Sequence, residues 1–381
     1  MVDFDFHLPV KILFGKNKEK LIGQQIKSYG IKKVLFLYGK GSIKRSGLYD
    51  IVIDSLKKEN IEWVEYDGVS SNPFLSHAYK GIKLAKENNV EAVLAVGGGS
   101  VIDEAKPIAV GAKTTDDIWD YYIGKTTNDA LPIFSIVTLA ASCSYMNNVG
   151  VITHDEKKIK TSIKLDVAIP KVSIIDPELF FTLTPDYIAY SGVDTLSHVI
   201  EPYFTQKDGS ELQNGIMESI IKSTIDTTNK ILKNHKDYNA WSENIWASSM
   251  AHNKLAIIGV SGHSYPNHMI EHSLSALYNI PHGAGLSIVI PAWMKWYKTK
   301  NINKIEQFAN KIFDIKDADQ GISFLENWFK EIKSPIRLSE VNIEENELNA
   351  IADNIMQIAK LWGMDKDYNK EIILEILKIS L

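Results

Sequence analysis

Glu91-Ala92-Val93-Leu94-Ala95-Val96-Gly97-Gly98-Gly99-Ser100-Val101-Ile102-Asp103-Glu104-Ala105-Lys106-Pro107-Ile108-Ala109-Val110 is the stretch whose reading decides the fold. Val93–Val96 is a short apolar run that follows Asn88-Asn89 and stops at three glycines, the pattern of a buried strand. Beyond the glycines, Val101, Ala105, Ile108 and Ala109 keep helical spacing. A strand, a glycine turn and a helix in that order form half of a βαβ unit, which predicts a parallel sheet.

The same grammar holds on either side. Lys32–Tyr38 closes at Gly39, and Pro132–Val137 and Val172–Ile175 are further short runs rich in β-branched residues, each beside turn signals. Pro9–Phe14 reads as an edge strand suited to subunit pairing. Helical spacing recurs through Leu48–Leu56 and Ile82–Ala85. After Asp176-Pro177 the strand runs fade. Asp186–Tyr203, Glu211–Lys233, Tyr238–Ala256, Pro266–Leu277 and Ala284–Tyr297 carry long helical patterns instead. These patterns predict an α/β domain with a parallel sheet over 1–180 and an all-α domain over 181–381.

The 381 residues are 45% hydrophobic and 23% charged, with a net charge of −5, which is globular composition and gives no general reason to coat nucleic acid or anionic lipid. One cysteine excludes an internal disulfide and a cysteine-rich zinc module. The first residues lack a basic and then apolar leader, and no apolar run reaches membrane-spanning length. The expectation is a cytoplasmic protein with small-molecule partners.

Two glycine turns suggest a nucleotide. Gly97-Gly98-Gly99-Ser100 would bring backbone close to a ligand and aim the amino end of the following helix at a phosphate or pyrophosphate. Gly39-Lys40-Gly41-Ser42-Ile43-Lys44-Arg45 also follows a strand, though it is not a G-x-G-x-x-G fingerprint. A binder of NAD places an acid near the ribose 2′-hydroxyl, and a binder of NADP replaces it with neutral and basic groups. No acid lies between Tyr38 and Arg45, so Gly39, Gly41, Ser42 and Lys44 predict NADP(H).

Seven of the ten histidines follow residue 190. Asp194 and His198 are four apart in a helical pattern, on one face. Glu201 lies three further on, placed to accept a hydrogen bond from a ligating imidazole. His268 and His272 repeat the four-residue spacing, and His282 stands where a further element begins. Imidazoles with one carboxylate suit a borderline divalent ion, Fe²⁺ or Zn²⁺, better than Ca²⁺ or Mg²⁺. Spacing alone leaves His268 and His272 as alternative ligands, with His252 and His263 as formal candidates.

GGGSVIDEAKPIA, SGVDTLSHVIE and NHMIEHSLSALYNIPHGAGLSIVIPAWM together resemble the iron-containing alcohol dehydrogenase family, most closely its NADPH-dependent butanol dehydrogenase and aldehyde reductase branch. The resemblance implies a Rossmann-like amino-terminal domain, a helical carboxy-terminal domain and a catalytic divalent metal. By position it implies Asp194, His198, His268 and His282 as metal ligands, and His272 as the histidine near substrate and nicotinamide. Gly98, Gly99, Ser100 and Val101 correspond to the pyrophosphate loop, and Asn72, Asp103, Thr138 and Lys160 to further cofactor positions. It also implies a homodimer or higher homo-oligomer.

One segment departs from the family. Where T-L-P-A-T-G-S-E-M-N is usual, this chain reads Thr138-Leu139-Ala140-Ala141-Ser142-Cys143-Ser144-Tyr145-Met146-Asn147. A Cβ replaces the glycine hydrogen and a phenol replaces the acid. The expected activity is hydride transfer between NADP(H) and short- to medium-chain primary alcohols or aldehydes. The rivals are a polyol dehydrogenase or dehydroquinate-synthase-like enzyme of the same fold, and an inert nucleotide-binding protein, for which a full ligand set has no use.

Overall fold

The apolar runs become strands in a computed structural model that describes residues 1–381. The strands are β1 (Lys11–Phe14), β2 (Lys33–Gly39), β3 (Glu62–Val69), β4 (Ala92–Gly97), β5 (Ile133–Val137), β6 (Val149–His154), β7 (Ile159–Lys164) and β8 (Val172–Ile175). Six of them form one sheet in the order β1-β8-β5-β4-β2-β3, with every pairing parallel. β4, β5 and β8 are buried along their whole length, as strands covered on both faces must be. Each Val or Leu so buried contributes about 1.5–3 kcal/mol. β3 carries Glu62, Glu65 and Asp67 and lies at an edge, so it shows no apolar run; the sequence reading missed it. The reading also missed β6 and β7, which form a separate two-stranded sheet.

The helices among the strands are α1 (Ile22–Ser28), α2 (Ser42–Arg45), α3 (Leu48–Lys58), α4 (Leu75–Glu87), α5 (Gly99–Gly111) and α6 (Trp119–Tyr122). After β2 the chain adds β3 on one side, then crosses to place β4 on the other. The carboxyl ends of β2 and β4 therefore flank a topological switch point, where open α/β sheets bind ligands. Gly39 and Gly97 end those two strands.

The rest is helical: α7 (Pro185–Thr205), α8 (Glu211–Lys233), α9 (Tyr238–Ala251), α10 (Pro266–Tyr278), α11 (His282–Lys298), α12 (Ile302–Phe313), α13 (Ala318–Glu331), α14 (Leu348–Trp362) and α15 (Lys370–Ile379). α7 begins with Pro185, whose fixed φ suits the first turn. Ser210 caps α8 by accepting from the Gln213 amide at 3.2 Å. One apolar core, including Leu196, Ile200, Met269, Leu274, Ile288 and Trp293, is shared by these helices. No helix is long and apolar enough to cross a membrane.

The chain divides into a unit of His7–Lys157 with Thr161–Thr182, and a unit of Leu183–Leu381 that also takes Met1–Phe6 and Lys158–Lys160. The two short pieces group with the helices through specific bonds. The Val2 amide donates to the Gly259 carbonyl at 2.9 Å, and Asn354 Nδ2 donates to the Lys158 carbonyl at 3.0 Å.

Candidate active site

Three helices supply the histidine cluster. α7 carries Asp194, His198 and Glu201, and it is buried on every side from Ser191 to Phe204. α10 carries His268, Glu271 and His272, and its residues Pro266–Ala276 are all buried. His282 is the first residue of α11, after Pro281. Close approach of α11 to α7 depends on Gly283, where a Cβ would stand 2.1 Å from the Tyr190 carbonyl oxygen.

Asp194 Oδ1 is the common point. It lies 3.5 Å from His198 Nδ1, 3.6 Å from His282 Nε2 and 3.9 Å from His268 Nε2. Donors around a tetrahedral ion with bonds of about 2.0–2.2 Å stand roughly 3.3–3.6 Å apart. Asp194 Oδ1, His198 Nδ1 and His268 Nε2 are buried without any hydrogen-bond partner. Buried polar atoms that converge and lack partners are what a metal ion would satisfy, and an oxygen-plus-imidazole set fits Fe²⁺ or Zn²⁺. Asp194, His268 and His282 form one group of mutually close donor atoms, with His198 beside it at the Asp194 carboxylate. A second group, Glu271, His272 and His282, shares His282.

Electrostatics follow burial. Burial pushes the Asp194 carboxyl up and the His198 imidazole well below its ordinary value. At His268 burial opposes the charged ring, but Glu201 more than compensates, and its pKa is raised. Burial likewise works against the Glu271 carboxylate, yet His282 and Lys160 hold it well below the usual range. His272 is kept neutral, first by burial and then by the Lys160 charge. Its Nδ1 pairs with the Lys160 carbonyl at 3.1 Å, which fixes the proton on Nδ1 and leaves Nε2 as an acceptor. The Trp362 ring meets His272 edge-on at 5.2 Å.

The formal candidates also have places. His252 stacks on His198 with ring centroids 4.0 Å apart, and His263 packs edge-on against Tyr265. Glu201 bonds the ring of His268 rather than that of His198 on its own helix. Glu271 was not singled out by spacing, although a carboxylate inside an apolar helical stretch, Met269-Ile270-Glu271-His272-Ser273-Leu274, was the available signal. Lys160 is placed with this cluster: its ammonium lies 3.5 Å from Glu271 Oε2 and 3.4 Å from His282 Nδ1.

The nucleotide candidates gather at the switch point of the sheet. Gly98 is the N-cap of α5. The Ser100 hydroxyl donates to the Ser71 carbonyl at 2.5 Å, tying the glycine turn to the loop that holds the buried Asn72. The Val101 amide bonds back to the Gly98 carbonyl at 3.1 Å, and the Thr138 amide to the Gly97 carbonyl at 3.0 Å. Gly99 serves this packing directly, because a Cβ there would stand 2.4 Å from Ser142 Oγ. Asp103 is buried one turn further along α5. Gly41 has φ +97° and is the N-cap of α2, which Ser42 starts and on which Lys44 lies. Lys44 Nζ is 3.6 Å from Glu65 and sits over the rings of Tyr38 and Tyr49.

The departing segment places a left-handed residue at the position where the family motif has glycine. Cys143 has φ 54°, the left-handed region that the family's glycine adopts freely, and its side chain is fully buried. Holding a residue with a Cβ there costs about 1–2 kcal/mol. Beneath it the buried Lys106 ammonium donates to Ser144 Oγ at 2.8 Å, Asn147 Oδ1 at 3.1 Å and the Val149 carbonyl.

Known proteins share this fold. Residues 9–177 match the iron-containing alcohol dehydrogenase family, and residues 188–381 match the carboxy-terminal domain of that family. A probable NADH-dependent butanol dehydrogenase of Bacillus subtilis is 38% identical, with all of both chains covered. The NADPH-dependent aldehyde reductase YqhD of Escherichia coli is 31% identical, with 92% of each covered. The crystal structure of NADH-dependent butanol dehydrogenase A from Thermotoga maritima superposes with a TM-score of 0.97 at 43% identity, covering 100% of this chain and 99% of the other. With both halves matched in order, this chain belongs to the iron-containing alcohol dehydrogenase family.

Proposed function

We propose that the enzyme moves a hydride between NADP(H) and short- to medium-chain primary alcohols or aldehydes, with butanol and butanal as the type pair, and that Asp194, His198, His268 and His282 hold its metal. The observation that carries this reading is the convergence of partnerless donor atoms on Asp194 Oδ1, with the neutral His272 beside them. A divalent ion held there supplies Lewis acidity to the substrate oxygen, and a bound nicotinamide supplies or receives the hydride. His272 takes the hydroxyl proton at Nε2 when the alcohol is oxidised and returns it when the aldehyde is reduced. The Lys160 carbonyl holds that imidazole in the required tautomer. Burial of Asp194, His198, His268 and His272 keeps water from them and strengthens each of these interactions.

Gly39 supports the choice of NADP(H). A Cβ at that position would meet only the Val69 carbonyl oxygen at 3.5 Å and Val101 Cγ2 at 4.0 Å, so there is side-chain space at the end of β2. Ser42, Lys40, Lys44 and Arg45 are exposed around it. Glu65 already draws on the Lys44 charge, so the hydroxyl and the other two cations are the groups less committed elsewhere. One charge-assisted hydrogen bond to a 2′-phosphate contributes about 1.5–3 kcal/mol, roughly tenfold or more in affinity. The test is kcat/KM with butanal for both cofactors, in the wild type and in Gly39→Asp. NADPH is expected to be favoured at least about tenfold, and the new carboxylate to move the ratio toward NADH. Equal use of both by the wild type, or a ratio that the substitution leaves in place, refutes the assignment.

A further inference from the structure

We infer that Glu201 and Glu271 are positioning residues that set the direction of two metal-binding imidazoles, His268 and His282. The inference rests on the metal reading above and extends it to two residues that are not ligands in that reading. Both carboxylates are fully buried. Glu201 Oε2 accepts a hydrogen bond from His268 Nδ1–H, while its Oε1 accepts from the backbone amides of Asn267 and His268, the latter at 3.2 Å. The first turn of α10 thus pins the carboxylate, and the carboxylate pins the ring. Glu271 repeats the device from within α10. Its Oε2 accepts a hydrogen bond from His282 Nδ1–H, and its Oε1 accepts from Ser275 Oγ. Gly285 makes room for it, since a Cβ there would lie 2.7 Å from Glu271 Cγ.

A neutral imidazole that donates its Nδ1–H to a carboxylate presents Nε2 as a lone pair. Both Nε2 atoms do face Asp194, at 3.9 and 3.6 Å. His198 is held differently, by stacking on His252.

The test strips metal from the full-length protein with a chelator and titrates Co²⁺ back in competition with a chromophoric chelator. Wild type, E201Q, E201L, E271Q, E271L and H282A are compared. The Leu variants are expected to bind Co²⁺ about 10–100-fold more weakly and to show an altered visible Co²⁺ spectrum. The Gln variants keep an acceptor for Nδ1 but lose the charge, so they fall between Leu and wild type and preserve the test if a Leu variant does not fold. NADPH affinity of the stripped protein is expected to stay at the wild-type value. Wild-type Co²⁺ affinity and spectrum in the Gln and Leu variants overturn the inference while leaving the metal reading intact. Loss of Co²⁺ from E271Q as complete as from H282A overturns it as well, because Glu271 would then be a ligand. A wild-type protein that binds no Co²⁺ overturns both readings.

Discussion

Gly283→Ala tests the geometry of the metal cluster from a residue that touches no ligand atom. The added Cβ would lie 2.1 Å from the Tyr190 carbonyl oxygen, 2.6 Å from its carbon and 2.7 Å from Tyr190 Cα. These are backbone atoms of α7, so no flexible side chain can swing aside. Restoring contact at 3.4 Å requires α11 to retreat by about 1.3 Å. His282, one residue earlier, moves with it, and its 3.6 Å separation from Asp194 opens to nearly 5 Å as an order of magnitude. Overpacking of this kind costs about 1–3 kcal/mol of stability, and a misplacement near 1 Å costs on the order of a hundredfold in turnover. Denaturant melts, metal content by mass spectrometry and kcat with butanal are the three measurements. Gly215→Ala in α8 is the control, because nothing lies within 4 Å of its new methyl group. It should gain up to about 1 kcal/mol from helix propensity and leave turnover unchanged. A Gly283→Ala enzyme with wild-type metal content and rate would refute the reasoning.

Three further outcomes are expected. His268→Ala loses the metal, whereas His272→Ala keeps it and turns over about 10²–10⁴-fold more slowly, with an altered pH profile; metal analysis showing the reverse would move the ion to the group of Glu271, His272 and His282. Burial pulls the Lys106 pKa down to about 8, so the unfolded chain binds the extra proton between there and the ordinary value of 10.5. Stability contributed by this group is therefore lowest below pH 8 and rises toward pH 10.5 by about 3 kcal/mol, and urea melts of Lys106→Met should lack that rise. Cys143 is buried, so native protein should resist thiol reagents and become reactive only on unfolding, and rapid labelling of the native state would contradict its placement.

Four of the six strands of the main sheet were legible as apolar runs because they lie inside it, and their residues have no solvent-facing side to record. β3 was illegible for the opposite reason: an edge strand satisfies half its backbone with water and can carry Glu62, Glu65 and Asp67. At the site, spacing along one helix placed Asp194 with His198, and family motifs were needed to separate His268 from His272. Glu201 illustrates the limit. Helical spacing put it on the face of His198, yet its bond goes to His268 on another helix, 67 residues away in sequence. The Lys160 contact with Glu271 spans 111 residues and has no local signature at all. Cys143 stands where the family motif has glycine, and its backbone lies in the left-handed region that glycine adopts without strain.

The complete burial of α7 ties metal supply to the lifetime of the protein. Ser191 to Phe204 has no face turned to solvent, so a helix carrying Asp194 and His198 cannot be released without opening the core around it. Whatever ion fills the cluster binds only the folded chain, and its binding free energy becomes folding free energy. At a free concentration one hundred times Kd this amounts to about 2.7 kcal/mol, a large share of the stability of an ordinary domain. A cell short of the metal would therefore hold less of the enzyme, since the stripped form visits its unfolded state more often and is cleared by proteases. Abundance, as well as activity, becomes a gauge of metal supply.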